Sequence, residues 1–122
     1  MKAAGHELKA AMRYYRCDHI CVPLVALIDY RGFRLVAESL LPIKSSTIVY
    51  GSSDGGRTVH DSNPRLNRFM EEAARKINIK PHLCGMQTKK KLAAPVDIEG
   101  HVGFDNRFYG DFFHPKFRKT RL

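Results

Sequence analysis

The pattern of apolar and polar residues predicts a β-hairpin in the first third of the chain. Val22–Ile28 is an almost wholly apolar run, and a second strand-like run occupies Phe33–Leu41. The intervening Asp29–Gly32 has the composition of a turn, since glycine adopts positive φ at no steric cost. Two strands joined by a short turn therefore follow from this pattern.

Two other stretches carry apolar residues at helical spacing. In the first, between residues 4 and 15, the predicted stripe consists of Ala4, Leu8, Ala11, Met12 and Tyr15. The second opens at Ser62-Asn63-Pro64, where a capping side chain precedes a proline in the first turn, and it ends near Asn78. Its stripe consists of Leu66, Phe69, Met70, Ala73, Ala74 and Ile77. Both segments are predicted to be amphipathic helices.

The remaining segments predict further short strands and loops. Thr47–Tyr50 is β-branched and aromatic, and the Gly-rich loop Gly51–Gly56 after it lacks the Gly-Lys-Ser/Thr ending of a P-loop, so it is interpreted as a hairpin turn. Asp97–Phe113 predicts a second hairpin, whereas Leu83–Pro95 is interpreted as an exposed connection. The expected fold is α+β, a small mixed or antiparallel sheet of β-hairpins packed with two amphipathic helices.

Length and composition favour one globular domain without a membrane span. The chain has 122 residues, 43% hydrophobic and 27% charged, and no apolar run approaches the roughly 20 residues that cross a bilayer. Its beginning lacks the apolar core of a secretory signal, and three cysteines are an odd number, so reduced thiols and a cytoplasmic location are expected. Cys17, Cys21, Cys84 and His82 lie outside the usual zinc spacings, so neither a metal nor a cofactor is predicted.

Net charge is the strongest compositional signal. The chain carries 21 Lys and Arg against 12 Asp and Glu, a formal charge of +9 that favours polyanions such as RNA or acidic membrane surfaces. The densest basic run is Lys89-Lys90-Lys91, and Arg57 follows the Gly-rich loop. These four residues are the candidate nucleic-acid contacts. A solvated basic loop without a ligand is the alternative interpretation.

Acidic residues and a histidine cluster in the last third of the chain. If an active site existed, Asp97 would be its base or metal ligand, His101 its neighbour and Asp111 a second ligand. The favoured interpretation is that Asp97 and Glu99 hydrogen-bond within a turn and that His101 is an ordinary strand residue. No enzymatic activity is predicted.

Four blocks of sequence, in order, resemble the clustered-mitochondria (CLU) family. They are GHELKA at Gly5–Ala10, VPLVALIDYRGFRLVAESLLPI at Val22–Ile43, TIVYGSSDGGRTVHDSNPRLN at Thr47–Asn67 and DIEGHVGFDNRFY at Asp97–Tyr109. Residues 1–109 are thus predicted to be a partial domain of this family, and 110–122 a divergent basic tail. Members of the family are much longer, so the chain is expected to be a fragment or a reduced relative.

The resemblance implies a non-enzymatic role in mitochondrial distribution, through binding of mRNA, with protein partners from mitochondrial transport. It implies no reaction and no cofactor. Two alternatives stay open: a structural or protein-docking segment of a larger assembly, and a degenerate kinase-like phosphotransfer domain in which Asp111-Phe112 follows a hairpin. The oligomeric state does not follow from the sequence.

Overall fold

A four-stranded antiparallel sheet forms the centre of the fold. The computed structural model describes residue 9, residues 11–95 and residues 98–112. The strand order is β4-β3-β7-β8, and the strands are β3 (Ile48–Gly51), β4 (His60–Asp61), β7 (Glu99–Val102) and β8 (Phe108–Asp111). Cys21 adds one parallel bridge to Tyr109 at the β8 edge.

Helix α2 (Pro64–Lys76) has the predicted start and stop signals. The Leu66 N–H donates to Asn63 Oδ1 at 3.0 Å, and Pro64 occupies the first turn. At the other end, the Ile79 N–H donates to the Ala74 carbonyl at 2.9 Å around Asn78, whose φ is +61°. The prediction of this helix is therefore confirmed.

The apolar stripe of α2 packs directly on the central sheet. Its buried residues are Leu66, Met70, Ala73 and Ala74. A β-carbon on Gly100 of β7 would lie 2.8 Å from Tyr50 Cβ and 3.0 Å from Leu66 Cδ2. Helix and strand therefore approach so closely that only glycine fits between them.

The first helix, α1, is described over residues 11–14 and buries a different face from the one predicted. Ala11 and Tyr14 are buried, whereas Met12 and Tyr15 are exposed. The predicted stripe was wrong at Met12 and Tyr15, because Tyr14 packs edge-to-face on Phe112 with ring centroids 4.9 Å apart. The positions Ala4 and Leu8 lie outside the described residues.

The predicted first hairpin is confirmed, with shorter strands and a tighter turn. Strands β1 (Val25–Tyr30) and β2 (Phe33–Glu38) pair antiparallel in a sheet of their own. Only Arg31 and Gly32 lie between them, with φ of +46° and +79°. Two successive positive φ values match the type I′ turn that suits the right-handed twist of paired strands.

A third small sheet corrects the prediction of an exposed connection over Leu83–Pro95. Strands β5 (His82–Cys84) and β6 (Lys90–Leu92) pair antiparallel, with the turn beginning at Gly85. A β-carbon on Gly85, whose φ is +118°, would clash with the Thr88 carbonyl. The sequence pattern missed this hairpin because lysine-rich strands have low intrinsic β propensity and depend on tertiary contacts.

The β7–β8 pair confirms the predicted second hairpin. The helices and the antiparallel sheets together confirm the predicted α+β class. Strand β8 continues through Gly110 and Asp111, and Phe112 is buried. Residues 113–122 of the predicted tail lie outside the described residues, so the boundary after 109 stays a prediction. In the described part of the chain, no helix has the length and apolar character to cross a membrane.

Replacing the helix cap should destabilise the domain measurably. We expect Asn63→Ala to lower the free energy of unfolding by about 1 kcal/mol, because the first turn of α2 loses an acceptor for one of its free N–H groups. Urea unfolding followed by circular dichroism measures the change. The adjacent Ser62→Ala is the control and should cost under about 0.5 kcal/mol; an equal cost would contradict the assignment of Asn63 as the cap.

Phe112 should be a stability determinant although it lies beyond residue 109. We expect Phe112→Ala to cost about 3–5 kcal/mol, because it removes the ring packed on Tyr14 and leaves a cavity. The same unfolding measurement applies, with exposed Phe104→Ala as the matched control. A cost below about 1 kcal/mol would show that the fold does not need this residue.

Candidate nucleic-acid interface

Two loops that are distant in sequence meet, one carrying Arg57 and the other leading into the lysine run. The first loop, residues 52–59, connects β3 to β4, and the second, residues 85–89, connects β5 to β6. The Met86 N–H donates to the Gly56 carbonyl at 2.8 Å, which joins the two loops directly. Arg57 follows this contact in the first loop, and Lys89 ends the second loop.

The first loop is held in shape by its own polar side chains. The Ser52 hydroxyl donates to Asp54 Oδ1 at 2.8 Å and accepts from the Gly56 N–H at 2.9 Å. The Thr58 N–H donates to the same Asp54 oxygen at 2.8 Å. The bond from Thr58, followed by that from Ser52, lowers the pKa of Asp54 to about 2. Arg57 therefore projects from a loop with a defined backbone.

Pairing of β5 with β6 points Lys90 and Lys91 of the lysine run to opposite faces of the hairpin. Lys90 is opposite Cys84 and Lys91 is opposite Leu83. Because neighbouring strand residues point to opposite faces, Lys90 turns inward and its Nζ lies 2.5 Å from Asp61 Oδ1. Lys91 turns outward with Leu83, and both are exposed.

Three of the four predicted contacts remain available to a ligand. Arg57, Lys89 and Lys91 are exposed, and none forms an ion pair with any residue in the described ranges. Lys90 is already neutralised by Asp61. Three exposed cations therefore belong to the two segments that line one cleft, residues 52–59 and 82–92, which we call the basic cleft.

The floor of the basic cleft is an apolar cavity of about 440 Å³. Its apolar walls include Tyr50, Val59, Leu83, Met86, Leu92 and Ile98. Leu83 and Met86 are 67% and 70% exposed, so the apolar lining reaches the mouth. A volume of this size lies in the range of natural small-ligand pockets. The cleft thus has an apolar floor, and the two segments that line it carry three exposed cations.

Tyr50 closes the deep end of this cavity. Its hydroxyl oxygen accepts from the Ala93 N–H at 2.7 Å, and the side chain is buried. Burial raises the pKa of Tyr50 to about 12, so the hydroxyl keeps its proton throughout the physiological range.

The candidate acid–base residues form a buried group outside the basic cleft. His101 and Asp111 lie on the neighbouring strands β7 and β8, and each is only 3% exposed. His101 Nδ1 is 3.0 Å from Thr47 Oγ1, and the Thr47 hydroxyl donates to the Lys44 carbonyl. His101 Nε2 faces Glu99 Oε2 at 3.4 Å.

These contacts favour a structural role for the buried group. In register, Glu99 is opposite Asp111, whereas His101 is opposite Tyr109. A side chain that is 97% buried has no room to touch a substrate, so His101 and Asp111 are not assembled as an open catalytic pair. Asp97, the third candidate, lies outside the described residues.

The sulfur ligands considered from the sequence are likewise dispersed. Cys17, Cys21 and Cys84 are free thiols, and burial raises the pKa of Cys17 and of Cys84. Over the described ranges, no three His, Cys, Asp or Glu side chains are grouped so as to hold a metal ion.

Sequence reasoning missed the apolar floor of the basic cleft. Leu83, Gly85 and Met86 were assigned to an exposed connection, and nothing in their local pattern reveals that they face Gly56 across a cleft. The one available signal was Gly85, since a glycine between two short runs marks a hairpin turn.

Acidification should loosen the loop that carries Arg57. Because the pKa of Asp54 is lowered on folding, its bonds stabilise the loop above the ordinary aspartate pKa and are lost as pH falls through about 2. We expect the Thr58 amide proton resonance to titrate with a midpoint near 2 in NMR spectra. In Asp54→Asn the titration should vanish, and a wild-type midpoint near 3.8 would contradict the bonded loop.

Comparison with known proteins identifies the family. A family model described as "Clustered mitochondria" matches residues 1–112. The chain is 40% identical over 119 residues to the clustered mitochondria protein of Arabidopsis thaliana, covering 88% of this chain and 8% of the relative. The homologues of Caenorhabditis elegans and Homo sapiens are 34% and 33% identical, over 70% and 68% of this chain and 8% and 7% of their own lengths. No solved structure matches. The chain belongs to the clustered-mitochondria family.

Proposed function

We propose that this chain is a non-enzymatic, cytoplasmic binding module in mitochondrial organisation that attaches to single-stranded mRNA through the basic cleft. The observation that carries the proposal is that two segments line one apolar cavity, meet at the Met86–Gly56 hydrogen bond and carry the exposed cations Arg57, Lys89 and Lys91. The relatives carry the name clustered mitochondria protein, which connects the family with mitochondria. Because the chain spans at most 8% of these relatives, their whole-protein role is part of the proposal.

The chemistry of the cleft fits an unpaired strand better than a duplex. Phosphates attract the exposed cations, while an unstacked base has an apolar face that can be buried against side chains. Leu83 and Met86 provide apolar surface at the mouth of the cavity, and a base-paired helix would keep its bases away from it. The formal charge of +9 adds a general attraction for RNA.

Salt dependence tests the proposal. Fluorescence anisotropy with a mixed-sequence single-stranded RNA should show affinity that falls linearly on a log–log plot against salt. Lys91→Ala should reduce the slope by about 0.7 and weaken binding about five-fold at 0.1 M salt, because one phosphate contact is lost. Arg68→Ala, which removes the same charge from the exposed side of α2, should leave the slope unchanged.

Lys90 provides a second control inside the same run. Its ammonium is bonded to Asp61, so Lys90→Ala should lower the stability of the domain and change the salt slope less than Lys91→Ala. Equal losses of slope for Lys90, Lys91 and Arg68 would show general charge attraction without a site. Absence of binding by the folded chain would overturn the RNA proposal.

A further inference from the structure

The hairpin β1–β2 presents one face without a single charged or polar residue. Because strand residues alternate between faces and paired residues share one, Ala26, Ile28 and Tyr30 lie on the same side as Ala37, Leu35 and Phe33. We call these six residues the apolar hairpin face. The opposite side carries the Asp29–Arg34 ion pair and Glu38, so the two faces differ sharply in chemistry.

The apolar hairpin face is largely uncovered in the described part of the chain. Tyr30 and Phe33 are 60% and 73% exposed, and Ile28 is also exposed. Val25 is the strand residue of the hairpin that packs against the main core, at the base of the ribbon. The hairpin therefore extends away from the central sheet and α2.

Such a ribbon leaves apolar surface in water that a packed sheet would bury. Two strands without a packed face are marginally stable in water, and contiguous exposed apolar surface marks an interaction site on a soluble protein. The sequence supports the same conclusion, because β1 is apolar on both of its faces apart from Asp29. Strands of that composition occur where both faces of a sheet are covered.

We propose that the apolar hairpin face docks on an uncharged, apolar protein surface supplied by the remainder of a clustered-mitochondria protein. The matched part is 8% of the Arabidopsis thaliana relative, so more than nine-tenths of that protein lies outside it. The alignment includes 88% of this chain and therefore contains the hairpin, which begins at residue 25. Docking would complete the ribbon as one layer of a larger core.

Charge argues against a second copy of this chain as the occupant. Each copy carries a formal charge of +9, and two copies brought face to face would repel one another.

The dimensions and charge of the hairpin argue against a lipid surface. Tyr30 to Ala26 spans about 13 Å at the rise of an extended strand. Interfacial insertion reaches only about 5–10 Å, so a membrane would cover the tip and leave the base wet. The charges of the hairpin cancel, since Asp29 and Glu38 balance Arg31 and Arg34, which gives it no preference for anionic lipid. A protein surface fits the whole face.

The test is binding between this chain and the relative's remaining chain. The full 122-residue protein, labelled at its N-terminus, would be titrated with the Arabidopsis thaliana relative from which the matched 119 residues are deleted. We expect saturable binding that weakens at least ten-fold in Phe33→Ser and in Tyr30→Ser. Phe104→Ser is the matched control, because Phe104 is a similarly exposed phenylalanine in another turn, and it should leave binding unchanged.

Hydrogen exchange gives a measurement that does not depend on the deleted protein folding. The hairpin peptide of this chain and its counterpart in the intact relative would be compared, and exchange in the relative should be at least ten-fold slower. Equal exchange in both proteins, or binding unaffected by Phe33→Ser, would overturn the proposal. Two other outcomes would assign the face to a different occupant, provided that they are lost in Phe33→Ser but not in Phe104→Ser. Salt-enhanced dimerisation of this chain would assign it to a second copy, and capture by phosphatidylserine vesicles would assign it to lipid. RNA binding through the basic cleft is independent of all these outcomes.

Discussion

The packing and bonding of Tyr50 join the separate parts of this fold. Tyr50 lies on β3 and is paired in register with Asp61 of β4 and Gly100 of β7, so its backbone connects three strands. Its ring packs beside Gly100, and its hydroxyl accepts the Ala93 N–H that follows β6. One buried side chain therefore fixes the central sheet relative to the β5–β6 hairpin, and the basic cleft exists because that hairpin is held in place.

The core of this small domain cannot cover every strand, and its two outer hairpins expose side chains of opposite character. A chain of this length has limited core volume, and α1, α2 and the central sheet enclose it. The β5–β6 hairpin is tied to the core through Leu92 and the Tyr50 bond, and it leaves Lys89 and Lys91 outside. The β1–β2 hairpin is anchored mainly through Val25, and it leaves apolar side chains outside. Charged side chains are well solvated in water, whereas covering exposed leucine and phenylalanine side chains with a partner lowers the free energy by removing apolar surface from water.

Burial explains why the most suggestive chemical residues of the sequence are poor catalytic candidates. His101 and Asp111 are close because β7 pairs with β8, yet the same pairing places them inside the fold. A hydrogen bond between His101 Nδ1 and Thr47 helps to specify how this core packs. Glu99 faces the other ring nitrogen, Nε2, which makes no hydrogen bond within the described residues. Lys89, Lys91 and Arg57 form no ion pair within the described residues, and this contrast favours the basic cleft as the candidate functional site.

Local patterns in the sequence determined the elements, and the tertiary structure decided what each element faces. The Asn63-Pro64 cap, the α2 stripe, the Arg31-Gly32 turn and the β7–β8 hairpin depend on neighbours in the chain, so their residues predict them. Other features depend on residues that are far apart in the chain. Lys90 pairs with Asp61, and Met86 bonds to Gly56, across 29 or more positions. The buried face of α1 depends on Phe112, an aromatic partner near the other end of the chain. An apolar run such as Val22–Ile28 shows that a strand has surface to bury, but only the closed core shows that Leu27 and Ile28 were left outside it.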